Sequence, residues 1–230
     1  GSVGVRDWNI AQQWLLAEVN AAMPGKIVLY NGISQTVKSQ VNRGLGPLDS
    51  TRATLNESFC IERDVPASVA HLTADIKLMQ ARNDRVLLEK VNFGVGKAWT
   101  SAQRSAFRDK YGAFCLGVFL VGWRPGSTYF GFSDGYGLTQ LDADMALEQS
   151  AIKLGAPVSD ATISSTGIAT RVYKRGTVVV NLSPTAQRVA VPVAAKYIVS
   201  PTGPTIRSLS TAKTSTLGAR SSVIYFTGTP

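Results

Sequence analysis

The 230-residue sequence holds a single histidine, His71, and only two cysteines, Cys60 and Cys115. So small a set cannot build a zinc site of the usual Cys/His kind, any metal would have to be oxygen-ligated, and no cofactor is expected. The cysteines share no motif and read as buried small hydrophobes, with a disulfide as the alternative. No apolar run approaches the roughly eighteen residues of a membrane span, and the N-terminus lacks the charged-then-apolar build of a signal peptide, so no membrane partner is expected. Gly1-Ser2 resembles a cloning scar; if a signal was removed with it, an extracellular or periplasmic location is favoured. Phosphate loops are missing as well. Neither Gly44-Leu-Gly46 nor Gly94-Val-Gly96-Lys97 fits a Walker or dinucleotide pattern, which argues against nucleotide binding.

Charged residues are few, at 17%, whereas hydrophobic residues reach 44%, a balance that suits a folded chain with a sizeable core. Lys and Arg outnumber Asp and Glu by 24 to 15, a net charge of +9. That charge would suit nucleic acid, anionic glycans or another acidic surface. The basic residues are scattered, however, and the densest cluster, Arg171, Lys174 and Arg175, lacks the aromatic interleaving of a single-strand binder. It reads as a solvated face, and no nucleic-acid partner is expected.

Along the chain, helical and strand patterns alternate. A helix is expected from Asp7 to Met23, a strand from Lys26 to Asn31, a short helix from Ser34 to Asn42 and a strand from Thr51 to Phe59. Val69, Leu72, Ile76 and Met79 form the stripe of a further helix behind Pro66, with His71 off that stripe. Arg85 to Phe93 is the third strand. Thr100 to Gln103 is a capping box that opens a helix burying Phe107 and Tyr111, and Phe114 to Trp123 reads as the fourth strand. A loop rich in Gly and aromatics spans Arg124 to Gly137, and a last helix runs from Gln140 to Leu154. Repeating βα units of about 30 residues predict a parallel sheet, four of them making half of a (β/α)8 barrel over residues 1–157.

After Pro157 no helical stripe remains, and turn residues separate short Val- and Thr-rich runs. Residues 158–230 are expected to form a small antiparallel β-sandwich, with strands at Ala169–Tyr173, Thr177–Leu182, Arg188–Val193, Tyr197–Val199 and Ser222–Phe226. The fold class is therefore α/β followed by all-β.

Functional groups of parallel βα folds stand at the carboxyl ends of the strands. The positions to inspect are Asn31, Glu57, Glu89 to Asn92, and Trp123 with the loop behind it. Glu57 stands near the end of a strand that is uncharged from Ala53 onward and would be partly desolvated there, which raises a carboxyl pKa as a general acid requires. The alternative is a structural ion pair with Lys90 or Arg63. Glu89 and Lys90 are adjacent on a strand and so point to opposite faces. The aromatic loop offers Tyr129, Phe130, Phe132 and Tyr136, either to stack on sugar rings or to pack against the rest of the chain. Ser or Cys nucleophilic catalysis needs a base, and His71 on a helix flank is poorly placed to serve.

Tyr30-Asn31-Gly32, Asn56-Glu57-Ser58-Phe59, the Gly/aromatic loop, Leu154-Gly155-Ala156-Pro157 and the β segment Arg171-Val-Tyr-Lys-Arg-Gly176-Thr-Val-Val-Val-Asn181 occur in an order that resembles the second half of glycoside hydrolases built from a (β/α)8 barrel and a C-terminal β-sandwich. The resemblance covers nearly the whole chain. It implies hydrolysis of a glycosidic bond by two carboxyl groups. Glu57 matches the acidic position on the sixth strand, Asn31 would contact sugar hydroxyls, and Trp123 would wall the pocket. The partner carboxylate of such barrels sits on the fourth strand, and this sequence begins after it. Glu89 and Asp134 are the remaining candidates for the second carboxyl group, with Asn92, Tyr129, Phe130 and Tyr136 as further sugar contacts. A half barrel leaves open sheet edges, so a homodimer or higher oligomer that closes the barrel is expected. A non-catalytic glycan-binding module or inactive barrel fragment is the alternative reading.

Overall fold

The computed structural model describes residues 5–31, 53–81, 86–92, 98–133, 154–199, 206–208 and 213–228. The expected helices at Ser34–Asn42 and Gln140–Leu154 fall on residues outside that range, save Leu154 itself. Helix α1 (Val5–Ala22) leads to strand β1 (Leu29–Asn31). Strand β2 (Ala53–Asn56) follows, then a tight β3 (Ile61–Glu62) and β4 (Val65–Pro66) ribbon, helix α2 (Val69–Ala81) and strand β5 (Val86–Asn92). Helix α3 (Ser101–Gly122) and strand β6 (Thr128–Ser133) complete this part. Strands β1, β2, β5 and β6 form one parallel sheet in chain order. No helix among the described residues is long and apolar enough to cross a membrane.

Two expectations change here. Phe114 to Trp123 is not a strand; residues through Gly122 are the second half of α3, which starts at the expected capping box, where the Gln103 N–H donates to Thr100 Oγ1 at 3.2 Å and the Thr100 N–H to Gln103 Oε1 at 2.8 Å. Every residue from Phe114 to Gly122 is buried, so this half of the helix shows no polar face, and a helix apolar all round reads like a buried strand. The fourth parallel strand is instead Thr128–Ser133, inside the segment expected to be a loop.

Burial along β5 alternates, with Leu87, Glu89 and Val91 buried and the residues between them half-buried. The buried face packs against α2 and α3 in one core that includes Leu72, Ile76, Met79, Phe114, Val118 and Phe119. Phe130 of β6 joins it, stacked on Phe119 at 4.8 Å and edge-on to Phe59 at 6.1 Å. α2 and α3 therefore cover the same face of the sheet, and the β2–β5 and β5–β6 crossovers run over that side.

The C-terminal part is antiparallel. β7 (Thr162–Ile163), β8 (Ile168–Tyr173), β9 (Gly176–Asn181), β11 (Tyr197–Val199), β12 (Ile206–Ser208) and β14 (Ser221–Phe226) make a six-stranded sheet in the order β12-β11-β14-β9-β8-β7. β10 (Gln187–Ala190) pairs with β13 (Thr214–Leu217). β9 is buried along its whole length, which suits its unbroken Val178-Val179-Val180 run. Val178 and Val180 join the core that holds α3, whereas Val179 packs with Val189 and Leu217 of the β10/β13 pair.

α3 lies directly on this sheet. A Cβ on Gly117 would stand 2.3 Å from the Cβ of Ser222, so glycine permits the approach, and the Ser222 hydroxyl donates to the Ala113 carbonyl. Arg171 corrects a further expectation, because it is buried rather than part of a solvated face. Its guanidinium donates to the carbonyls of Ser159, Val121 and Trp123, satisfying the open end of α3. Lys174 and Arg175 are exposed at the turn of the β8/β9 hairpin. Cys60 and Cys115 are joined in a disulfide, the alternative left open by the sequence.

Candidate functional site

Parallel register decides which side chains share a face. Leu55 lies opposite Asn31 and Leu88, and Leu88 lies opposite Tyr129. Leu55, Leu88 and Tyr129, with Lys90 and Asn92 further along β5, belong to the face turned away from α2 and α3. Leu55 and Leu88 are half-buried and Tyr129 is 51% exposed. Glu57 follows the last residue of β2 and reaches the same side, where its Oε1 is 3.5 Å from Lys90 Nζ. The Asn92 amide donates to the Glu57 carbonyl at 2.8 Å, and Asn92 Oδ1 is buried without a protein hydrogen-bond partner. Glu57, Lys90 and Asn92 thus gather at the carboxyl end of the sheet.

Glu57 is half-buried, and its environment is set by a neighbouring cation as well as by partial burial. Its side chain is 34% exposed and faces an ammonium, which is the ion pair with Lys90 that the sequence left as an alternative. The segment that carries it is firmly anchored. The Ser58 N–H donates to Asn56 Oδ1 at 3.2 Å, Phe59 and Cys60 are fully buried, and the disulfide ties Cys60 to α3.

Glu89 stands on the opposite face of β5 and cannot share a substrate with Glu57 across the sheet. It is buried against α2, in register with Asn56, and its Oε2 has no protein hydrogen-bond partner. Burial, and next the charge of nearby Asp75, push its carboxyl well above the ordinary carboxylate range, with the neighbouring Asn56 side chain opposing the rise. Asp75 is raised too, by burial, against the lowering influence of His71. His71 Nε2 lies 3.0 Å from Asp75 Oδ2, one turn along α2, in an alignment too poor for a well-formed hydrogen bond. The sequence reading missed this buried trio. Its signal was the i, i+4 spacing of His71 and Asp75 on a helix whose stripe they adjoin.

The remaining candidates separate. Phe130 is a core ring on the helix-covered face and is not at a rim. Trp123 sits between the end of α3 and the start of β6, stacked on Tyr173, at the amino end of the strands and so away from Glu57. Asn31 closes β1, but its side chain lies outside the described residues, as do Asp134 and Tyr136. Among the described residues no three or more His, Cys, Asp or Glu side chains gather where they could hold a metal ion.

No known family model matches the sequence, and no curated protein matches it. Among solved structures the chain has weak similarity to a glycoside hydrolase, a family 51 alpha-L-arabinofuranosidase from Bifidobacterium longum. The TM-score is 0.42 at 11% identity, over 98% of this chain and 64% of that one. The chain therefore spans less than two thirds of the length of that protein.

Proposed function

We propose that the chain is a carbohydrate-active protein of glycoside-hydrolase type, with Glu57 as a reacting carboxyl group and Asn92 and Tyr129 as sugar contacts. The observation that carries this reading is the grouping of Glu57, Lys90 and Asn92 at the carboxyl end of a parallel sheet, on the face away from the helices. Substrates of βα folds bind at that end. Chain-order strands with the α2 and α3 crossovers on one side suit half of a (β/α)8 barrel, the other face being the barrel interior. Two copies meeting on that half-exposed face would supply eight strands and bring a second Glu57 to the mouth. Asp134 is the other candidate for the second carboxyl group. The Cys60–Cys115 disulfide suits an oxidising compartment, extracellular or periplasmic.

Reducing-sugar release from a panel of neutral and acidic polysaccharides tests the reading. Wild-type protein should cut at least one of them, and Glu57→Gln should lose cleavage while keeping its glycan affinity and melting temperature. Loss of folding in that variant would assign Glu57 to structure. A monomer in light scattering at micromolar concentration would count against the closed barrel. One observation favours a non-catalytic glycan-binding module instead: among the described residues, no second carboxyl group stands on the Glu57 face of the parallel sheet. Retaining and inverting mechanisms need two carboxyl groups about 5 Å or roughly 6.5–9.5 Å apart. Binding without cleavage by both proteins would select that reading.

A further inference from the structure

Among the described residues, the non-glycine positions with a positive φ are Cys60, Arg63, Asp64 and Arg220. All but one have a plain local reason. Arg63 and Asp64 are the two-residue turn of the β3/β4 ribbon, which suits left-handed backbone at both positions, and Arg220 lies in the turn between β13 and β14. Cys60 stands before the ribbon rather than in its turn, and it is fully buried. Its φ of 66° goes with a hydrogen bond from the Ile61 N–H to the Phe59 carbonyl at 2.7 Å, which makes Cys60 the centre of a γ-turn of the rarer, strained hand. A cysteine gains nothing from that backbone conformation by itself, but its side chain is tied there. Its partner Cys115 lies 5.6 Å away between Cα atoms, in the stretch of α3 that Ala113 and Gly117 seat against Ser222 of the six-stranded sheet.

We infer that Cys60 is a positioning residue for Glu57: its disulfide holds the left-handed γ-turn and so fixes where the Glu57–Ser58 turn leaves β2. The inference rests on the reading of Glu57 as a functional carboxyl group. A disulfide requires the two Cβ atoms to face each other at short range. Moving Cys60 to an ordinary negative φ would turn its Cβ away from Cys115, so the intact bond and the left-handed backbone imply one another. Only Ser58 and Phe59 stand between Glu57 and Cys60, and Phe59 is fully buried. A change of chain direction at Cys60 is therefore passed on to Glu57. Held as it is, the segment lets the Ser58 N–H reach Asn56 Oδ1 and the Glu57 carbonyl meet the Asn92 amide. On the other side of the γ-turn the Cys60 carbonyl accepts from the Ala67 N–H at 2.9 Å. Strained backbone persists only where its surroundings over-determine it, and here the disulfide does so beside the candidate site.

Glycine adopts left-handed backbone freely and alanine does not, which separates holding the turn from cross-linking the chain. Cys60→Gly/Cys115→Ala and Cys60→Ala/Cys115→Ala lose the cross-link equally, so its effect on the unfolded chain cancels between them. Amide hydrogen exchange, read by NMR on the full chain, compares the turn at Ser58 and Ala67 with the sheet core at Val179. Ser58 and Ala67 should exchange about tenfold faster in the alanine variant, the penalty that glycine escapes, with Val179 equal in the two. The side-chain amide resonances of Asn92, which donates to the Glu57 carbonyl, should shift with alanine and stay in place with glycine. Turn exchange that is equal in the two variants, or faster with glycine as its greater chain entropy predicts, overturns the inference. So does a change at Val179 as large as that of the turn, or an Asn92 signal that alanine leaves unmoved. Should the alanine variant fail to fold, the glycine variant decides. Protection of Ser58 and Ala67, relative to Val179, equal to that of the disulfide-bonded protein supports the inference; selective loss at those two, or failure to fold, overturns it. A held turn in a protein that neither cuts nor binds any glycan would refute the function and leave the positioning geometry standing.

Discussion

Glu89 makes stability depend on pH in a direction the structure dictates. Its side chain is 3% exposed, and its carboxyl titrates well above the ordinary carboxylate range, chiefly because burial penalises the charged form. In the unfolded chain the same group ionises normally. Between the two values the folded protein holds a proton that the unfolded chain has released, so rising pH favours unfolding. The stabilisation is complete below the unfolded value and is lost as pH climbs toward the folded one. Each pH unit within that window costs about 1.4 kcal/mol. For a protein of this size that is roughly 3–6 °C in melting temperature per unit. Glu89→Gln keeps the size and polarity of the side chain and has no proton to lose. Thermal or urea unfolding of both proteins from pH 5 to pH 8 is the assay. Above the unfolded value their stabilities should diverge as pH rises toward the folded one, in the variant's favour. Asp75, also raised, tilts both curves the same way, and because its charge acts on Glu89 the difference between them reports Glu89 together with that coupling. Parallel curves across the range would show that Glu89 is not buried as a neutral acid, and the reasoning would fall.

Other perturbations probe the frame around the site. The disulfide closes a loop with a sequence separation of 55, so replacing both cysteines by alanine should cost about 4 kcal/mol from unfolded-chain entropy; thiol titration of the denatured, unreduced protein should find no free cysteine. Gly117→Ala would drive a methyl group into Ser222, which should cost about 1–3 kcal/mol in chemical denaturation as α3 shifts off the six-stranded sheet. Arg171→Met would leave three carbonyls without their donor, and a loss of at least about 3 kcal/mol is expected; a melting temperature equal to wild type would mean that water replaces the guanidinium.

Much of this molecule was legible in its residues. Alternation in Val86–Asn92, the capping box at Thr100 and Gln103, and the Val178–Val180 run each fix a local conformation through nearest-neighbour geometry, and each element stands where its pattern indicates. Opposite facing of Glu89 and Lys90 follows from the two-residue period of a strand and needed no structure. What the pattern could not say was which of the two turned toward the helices, because both faces of the sheet carry Leu or Val. Only the packing of α2 and α3 decided that, and with it the separation of Glu89 from Glu57. The second half of α3 was misread for a related reason: two sheets bury it from opposite sides, so the polar face that marks a helix is absent. The disulfide, the burial of Arg171 and the His71–Asp75–Glu89 trio join residues far apart in the chain or on different elements. Their meeting is set by tertiary packing, which brings distant segments within contact and excludes the water that would otherwise have solvated them.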